Sequence, residues 1–427
     1  MSAIRAPKGM NDILPDESGR WHVVERAFGD AMGRAGFREV RTPYLESTNL
    51  FVRTIGEATD VVEKEMYSFS HHDEPLTLRP EGTAGAARAY VEHGIHNKEP
   101  ASRWYYAGPM FRAERPQKGR YRQFYQLGAE VFGDTGPGVD AEVIDLLVRF
   151  FQSIGIPDVD VLVNCIGGPE TRASYKEALV KFLEPKLSGL SADSQRRLHT
   201  NPLRILDSKN PADIAAVADA PTLTDHLSAD DKKHFDGLRR MLDALATPYR
   251  VEPRLVRGLD YYTRTLFEVK AAKEKLGAGD TIAGGGRYDN MLAELGGNAQ
   301  PAFGFAAGLE RLLIASEVPG PASVVDVFIA PMGEAAHAPA LVLARKCRDA
   351  GIAAEADLRG ASMKSLLRRA NALGAAFAVI IGDRELETGH YGLKDLAAHT
   401  QSELAPEALV AHVKASRAAR KATQESA

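Results

Sequence analysis

Between Arg20 and Gly36 the apolar residues Trp21, Val24, Phe28, Ala31 and Ala35 recur every three or four positions, which puts them on one stripe of a helix. Gly36 suits its end, because the turn out of a helix favours a residue without a side chain. FREVRTP then reads as a strand closed by Pro43. Runs of aromatic and β-branched residues predict further strands around Met66–Phe69, Trp104–Phe111, Gln123–Phe132 and Val159–Cys165. From Pro169 to about Ala246 the pattern turns helical and polar, before strand-like residues return in YRVEPRLVRGLDYYTRTLFEV. A mainly antiparallel α+β domain carrying a helical insertion fits this order.

VPGPAS, at Val318–Ser323, is a linker by composition. Beyond it the rhythm is strand, helix, strand, helix, strand: VVDVFIAPM, a helix ending at Gly351, GIAAEADL, SMKSLLRRANALG and AAFAVIIGD. Such alternation predicts a small α/β domain. In its second helix Met363, Leu366, Leu367 and Ala370 form the buried stripe, and Lys364 and Arg368 lie on a solvated face. The closing VKASRAARKATQESA is expected to fray.

Composition narrows the class. The 427 residues allow two or three domains, and apolar and charged fractions of 44% and 26% are those of an ordinary globular protein. Cys165 and Cys347 are far apart, which excludes a disulfide framework and a paired-cysteine zinc site and suits a reducing cytoplasm. No apolar run is long enough to span a membrane, and MSAIRAPKGMNDILP lacks the apolar core of a signal peptide. A net charge of −4 excludes a uniformly basic coat but leaves room for a local groove where arginines meet phosphate.

One such cluster is FRAERPQKGRYRQFYQ, in which Arg112, Arg115, Lys118, Arg120 and Arg122 face a single acid, Glu114, at one end of a predicted antiparallel ribbon. A charged hairpin tip is the plain alternative. On the second strand of the ribbon, Arg122, Phe124, Gln126, Gly128, Glu130 and Phe132 share one face, while Tyr125, Leu127, Ala129 and Val131 pack inward. Gln126 and Glu130 thus flank Gly128, predicting a hollow for a small polar ligand. RPEGT adds Glu81, Gly82 and Thr83, a suitable receptor for an ammonium group. RGLDYYTRTLFEV adds Arg257, whose fork suits a carboxylate or phosphate, with Asp260, Tyr261 and Tyr262 beside it. AGGGRYD permits close backbone approach without matching a known nucleotide fingerprint, and FGFAAGLERLL offers Arg311 as a polyphosphate clamp beside Glu310. His71 and His72 lack metal-pair spacing and belong to the surface.

KGMNDILP, RTPYLE, TLRPEGT, FRAERPQKGRYRQF, QLGAE, RGLDYYTRTLFE, GGGRYD and GLERL stand in the order found in histidyl-tRNA synthetases, class II aminoacyl-tRNA synthetases that this chain resembles nearly end to end. RGLDYYT is the most specific of these. The resemblance implies a class II antiparallel sheet flanked by helices in residues 1–317, interrupted by an insertion at about 169–247. It also implies a linker at 318–324 and an α/β anticodon-binding domain at 325–427. It implies ATP as substrate with Mg²⁺ carried on its phosphates, L-histidine and tRNA(His) as partners, no membrane, and a cytoplasmic homodimer built through the segment around Pro43.

Residue by residue, the resemblance assigns Glu81, Gly82, Thr83 and Gln126 to the amino end of histidine, and Glu130 and Tyr262, with Tyr261 close by, to its imidazole. Arg112 and Arg257 would neutralise the substrate carboxylate and the α-phosphate during reaction. Glu114 would sit by the adenine, Arg120 and Arg311 on the outer phosphates, and Arg115 and Gln117 by the acceptor end of tRNA. Ala113 and Tyr125 depart from the family, which has an aromatic residue and a histidine there. Repacking alone is expected at Tyr125, while Ala113 leaves less packing beside ATP. A different class of function shares the fold: a histidine-sensing regulatory subunit of ATP phosphoribosyltransferase. That relative lacks the C-terminal domain and parts of the two arginine motifs, which are present here. A kinase-fused pseudo-synthetase is excluded because no kinase signature occurs.

Overall fold

Strands β5 (Ser102–Phe111) and β6 (Gln123–Phe132) alternate in polarity, so each can pair along its edges while burying its two faces against different layers. They belong to an eight-stranded sheet in a computed structural model that describes residues 3–57, 59–272, 276, 279–320 and 325–425. The other members are β1 (Arg38–Glu39), β7 (Asp160–Cys165), β8 (Arg250–Val251), β9 (Thr263–Lys270), β10 (Thr281–Arg287) and β11 (Ala302–Gly308). Their order is β1-β5-β6-β11-β10-β9-β7-β8. The six central strands are antiparallel, and only the edge pairs β1 with β5 and β7 with β8 run parallel. A small antiparallel sheet of β2 (Leu45–Ser47), β3 (Tyr67–His71) and β4 (Glu74–Leu78) stands apart from it.

Helices cover both faces. On the first, Leu127, Ala129 and Val131 of β6 meet Val24, Phe28 and Met32 of α1 (Pro15–Arg34). The sequence stripe therefore shifts slightly, with Met32 fully buried and Trp21, Ala31 and Ala35 partly so. The helix starts earlier than expected because Pro15 needs no amide partner in the first turn and Asp16 and Glu17 favour its positive end. Gly36 ends it with φ of 79°. Against the same face lies α4 (Pro137–Ser153).

The insertion holds α5 (Pro169–Leu183), α6 (Ala192–Thr200), α7 (Pro211–Ala216) and α8 (Ala229–Ala244) with short 3₁₀ turns between them. Its last helix differs from the expectation of a separate helical piece: Phe235, Leu238 and Leu242 of α8 join the core of the main sheet. Tyr175, Leu179, Leu183, Leu198 and Leu203 instead extend the core on the opposite face, the face that also buries Tyr106, Tyr261, Tyr262 and Tyr288. Among the described residues this part also holds α2 (Thr48–Ile55), α3 (Thr83–Glu92), α9 (Met291–Glu294) and α10 (Leu309–Ala315).

The chain divides into two compact units, Met1–Val318 and Pro319–Ala427; residues 321–324 of the expected linker lie outside the described residues. The second unit has a five-stranded sheet ordered β13-β12-β14-β15-β16, made of β12 (Val327–Pro331), β13 (Ala354–Ala356), β14 (Phe377–Ile381), β15 (Tyr391–Asp395) and β16 (Thr400–Leu404). The first three are parallel, as their connecting helices α11 (His337–Asp349) and α12 (Met363–Ala372) require. The antiparallel β15–β16 hairpin, which follows α13 (Asp383–Thr388), was not foreseen. The expected frayed end begins within α14 (Pro406–Glu425), whose Leu409 and Val413 are fully buried, and its residues 426–427 lie outside the described residues.

Candidate active site

Side chains that face one another across paired strands share a side of the sheet, so the register defines the floor of the site. One row runs Tyr106, Gly128, Ala306, Gly284, Glu268 across β5, β6, β11, β10 and β9. Its neighbour runs Trp104, Glu130, Gly304, Gly286, Leu266. Four glycines and an alanine leave the middle of both rows bare, and larger groups lean over the gaps. A Cβ at Gly284 would come 2.6 Å from the Arg257 guanidinium carbon, and one at Gly286 would come 3.0 Å from the Tyr262 ring. A Cβ at Gly304 would overlap the Glu130 carboxylate. The hollow expected at Gly128 is not open. Tyr106 fills it, and its ring also occupies the space a Cβ at Gly82 would need.

Glu130 itself is fully buried. Its Oε1 accepts the Thr83 hydroxyl at 2.7 Å and the Tyr106 hydroxyl at 3.1 Å, and its Oε2 accepts the Tyr288 hydroxyl at 2.5 Å. Complete burial outweighs these donors and pushes the carboxyl up to about 8. Glu81 is turned toward the start of α3, where it accepts the amides of Thr83 at 2.7 Å and Ala84 at 2.8 Å. Burial raises this carboxyl as well, against the lowering effect of those two amides. Tyr261 and Tyr262 are buried with ring centres 4.6 Å apart, and Tyr261 lies 5.7 Å from Tyr288. Gln126, 8% exposed, presents a buried side-chain oxygen that no protein donor reaches. Such an acceptor costs stability unless a ligand satisfies it.

The neighbouring row opens into a cavity of about 690 Å³ whose lining includes Gln117, Arg120, Lys209, Arg257, Glu268 and Arg311. Arg257 donates to Glu268 at 2.8 Å, and Glu268 also accepts the Thr281 hydroxyl at 2.5 Å. Arg311 is fixed by the carbonyls of Thr281, at 2.6 Å, and Gly279, at 2.9 Å, which leaves its Nη1 buried without a partner. Burial and the nearby Arg120 both lower its pKa.

Gln117, Arg120 and Lys209 also line a second cavity of about 570 Å³, together with Lys64, Glu65, Ala113, Glu114 and Arg115. Arg112 is outside both linings; it donates to the Pro80 carbonyl at 2.9 Å and lies 5.4 Å from the Phe124 ring centre. Arg122, grouped with the site face by parity, directs its side chain to the carbonyls of Glu114, at 3.3 Å, and Lys8, at 3.5 Å, and its backbone amide donates to Gly9 at 2.7 Å. Tyr125 packs on the opposite side of the sheet with its ring 5.0 Å from Trp21, as its parity predicts. Glu310 is buried beside it and accepts the Tyr125 amide at 2.9 and 3.1 Å, because β11 has ended and offers β6 no carbonyl there.

Sequence reasoning missed Tyr106, Tyr288, Glu268 and Lys209. Tyr288 lies within the GGGRYD motif, so the signal was on the page. Tyr106 depends on the β5–β6 register, and Lys209 comes from the insertion, with no local signal.

A family model described as histidyl-tRNA synthetase matches residues 9–312 of this sequence. The chain belongs to the histidyl-tRNA synthetase family. A model of the anticodon-binding domain matches residues 326–416. The histidine–tRNA ligase of Sorangium cellulosum is 56% identical over 94% of each chain, and that of Cupriavidus taiwanensis is 49% identical over 94% of this chain and 89% of its own. Among solved structures, apo S. aureus histidyl-tRNA synthetase is 38% identical, with a TM-score of 0.82 over 96% of this chain and all of its own. A Bacillus halodurans structure described as an ATP phosphoribosyltransferase regulatory subunit/histidyl-tRNA synthetase shares the fold at 22% identity and a TM-score of 0.66.

Proposed function

We propose that this member of the histidyl-tRNA synthetase family activates L-histidine with ATP and transfers it to the 3′ end of tRNA(His). The observation that carries the reading is a cavity faced by Arg120, Arg257 and Arg311 whose floor row lies between the row of the buried Glu130 and that of Gly308 and its partner Gln126, whose side-chain oxygen is unmet. In the first step a histidine carboxylate oxygen attacks the α-phosphorus, the bond to the bridging oxygen breaks, and pyrophosphate leaves. Both reactants are anions. Fixed guanidinium groups lower their mutual repulsion without reorganising as charge develops. In the second step a terminal ribose hydroxyl of tRNA attacks the carbonyl carbon and AMP departs.

Arg257, held over Gly284 by Glu268, would neutralise the α-phosphate. Arg311, already anchored at two carbonyls, has one nitrogen left for the outer phosphates, with Arg120 beside it. Arg112 would meet the substrate carboxylate and α-phosphate by turning from Pro80, and Glu114 would lie near the adenine. Arg115 and Gln117, on the rim of the second cavity, would contact the acceptor end. Glu81, Gly82, Thr83 and Gln126 would surround the amino group, with the Gln126 oxygen as its free acceptor. Glu130, with Tyr261 and Tyr262 nearby, would read the imidazole. A site built to pair a buried polar group discriminates by about 10⁴–10⁵ against analogues lacking it.

Mg²⁺ bound on the nucleotide would offset charge on the departing pyrophosphate. Among the described residues no group of three or more histidine, cysteine or carboxylate side chains could hold a metal ion. Among the described residues that line the cavity, Asp207 and Glu268 offer the carboxylate oxygens that such a hard cation takes. A homodimer built through the segment around Pro43 is part of the same reading. Among the described residues no helix is long and apolar enough to cross a membrane, and a cytoplasmic setting is part of the same reading. The test is histidine-dependent exchange of pyrophosphate into ATP, followed by charging of tRNA. Histidine binding without exchange would instead favour the regulatory alternative.

A further inference from the structure

Arg257, Tyr261 and Tyr262 all stand on residues 252–262, a stretch without helix or strand between β8 and β9. Its inner side lies over Gly284 and Gly286. What holds the outer side comes largely from the insertion. Arg204 donates to the Asp260 carboxylate at 3.0 Å, and the Asn201 amide lies 3.1 and 3.2 Å from its two oxygens. Arg172 of α5 donates to the Tyr262 carbonyl at 3.2 Å. Arg254 reaches the Ala218 carbonyl. From the end of α2, the Ile55 carbonyl accepts the Asp260 amide at 3.2 Å, and a Cβ at Gly56 would come 2.9 Å from the carboxylate. Asp260 is thus clasped between α2 and the insertion, in the loop between Arg257 and Tyr262.

Arg204 has a side chain only 10% exposed, and its Nε is buried without a protein partner. It borders a cavity of about 30 Å³ shared with Arg172, Asn201, Arg257, Asp260 and Tyr262, room for roughly one water. The contact is charge-assisted and largely removed from solvent, so it fixes geometry more firmly than a surface pair would.

We propose that Arg204 and Asn201, with Arg172, are positioning residues for amino-acid activation: the insertion presses the loop bearing Arg257 and Tyr262 onto the sheet, so its placement sets the alignment of histidine and α-phosphate. This rests on the functional reading above. None of the three needs to touch substrate. A movement of the insertion would be passed to the reacting groups through Asp260.

The experiment combines pyrophosphate exchange kinetics with hydrogen exchange on the whole chain, for the parent, Arg204→Ala, Arg204→Lys and Asn201→Ala. Misplacement of an aligned group by about 1 Å can cost about 10²-fold, so Arg204→Ala should lose about that much in kcat/KM for histidine. The KM for ATP, set largely by Arg120 and Arg311 outside the loop, should stay put. Amides at residues 257–262 should exchange faster while those of β10 and β11 keep their protection. Arg204→Lys should recover part of the loss, and Asn201→Ala should show the same pattern more weakly. Parental kinetics in Arg204→Ala would overturn the proposal, as would an equal fall for both substrates with protection lost across β10 and β11. If the parent shows no histidine-dependent exchange, the functional reading fails, and the loop amides of the variants still decide whether the insertion holds the loop.

Discussion

Tyr106 and Gly128 stand directly opposite on β5 and β6, and the tyrosine ring occupies the volume that any side chain at 128 would need. Gly128→Ala should therefore destabilise the protein by about 1–3 kcal/mol, the usual range for overpacking, and weaken histidine binding by displacing a donor to Glu130. Urea unfolding measures the first effect and calorimetry the second. In a Tyr106→Leu background the same alanine should cost less, since the smaller side chain can yield; equal costs in both backgrounds would uncouple the two positions.

Glu130 supplies a pH dependence. Its carboxyl is held up to about 8 by burial, whereas a free imidazole titrates near about 6.5. Between those values the carboxyl carries a proton and the imidazole is neutral. Accepting an imidazole N–H on the carboxylate expels that proton, so histidine affinity should climb from about pH 6.5 to about pH 8. Titration calorimetry in two buffers of different ionisation enthalpy should show the release, and a flat profile with no release would remove Glu130 from this role.

At Glu310 the prediction concerns stability. Burial pushes its carboxyl from 4.5 to about 7, so the folded state holds the proton more tightly than the unfolded one. Its favourable contribution is complete below about pH 4.5 and is lost as pH rises through about 7. Glu310→Gln keeps an oxygen for the Tyr125 amide but does not titrate. The variant should gain on the parent by something on the order of 3 kcal/mol between pH 4.5 and 7, then level off. Urea midpoints at pH 5, 6, 7 and 8 would show it; a constant difference would contradict it.

For Arg311 the expected loss is in nucleotide use. Arg311→Ala removes a preorganised donor and should lower kcat/KM for ATP by about 10²-fold, with the KM for histidine little changed. Arg311→Lys should recover little, because a single ammonium cannot keep the Thr281 and Gly279 carbonyls and still offer a third donor outward. Near-parental ATP kinetics in the lysine variant would contradict this.

The polarity of β6 was legible because a strand displays its two faces in alternation: Leu127, Ala129 and Val131 went inward, and Gln126 and Glu130 faced the site. What faces that strand was not legible. Tyr106 enters through a register set by pairing over a separation of 22 residues, and Asp260 finds its partners more than 50 residues away at Asn201 and Arg204. Arg122 obeyed the local alternation but lies just beyond the last residue of the ladder, where Gly9 offered a better partner. In the second unit, the polar TQSEL strand gave no hydrophobic signal, and α14 looked frayed because only Leu409 and Val413 anchor its described part deep in the core.

The bare rows at Gly128, Gly284, Gly286 and Gly304 let Tyr106, Arg257, Tyr262 and Glu130 lie close against the sheet, so how near they sit is inherited from the hydrogen-bonded ladder. Mutagenesis aimed at a new amino acid would have to evict Tyr106 to add atoms at Gly128 and Arg257 at Gly284, while at Gly286 and Gly304 it would also meet the backbone carbonyls of Thr265 and Ala129. Useful diversity would have to enter through the overhanging residues, so a library that randomised the glycines would mostly sample ruined machinery.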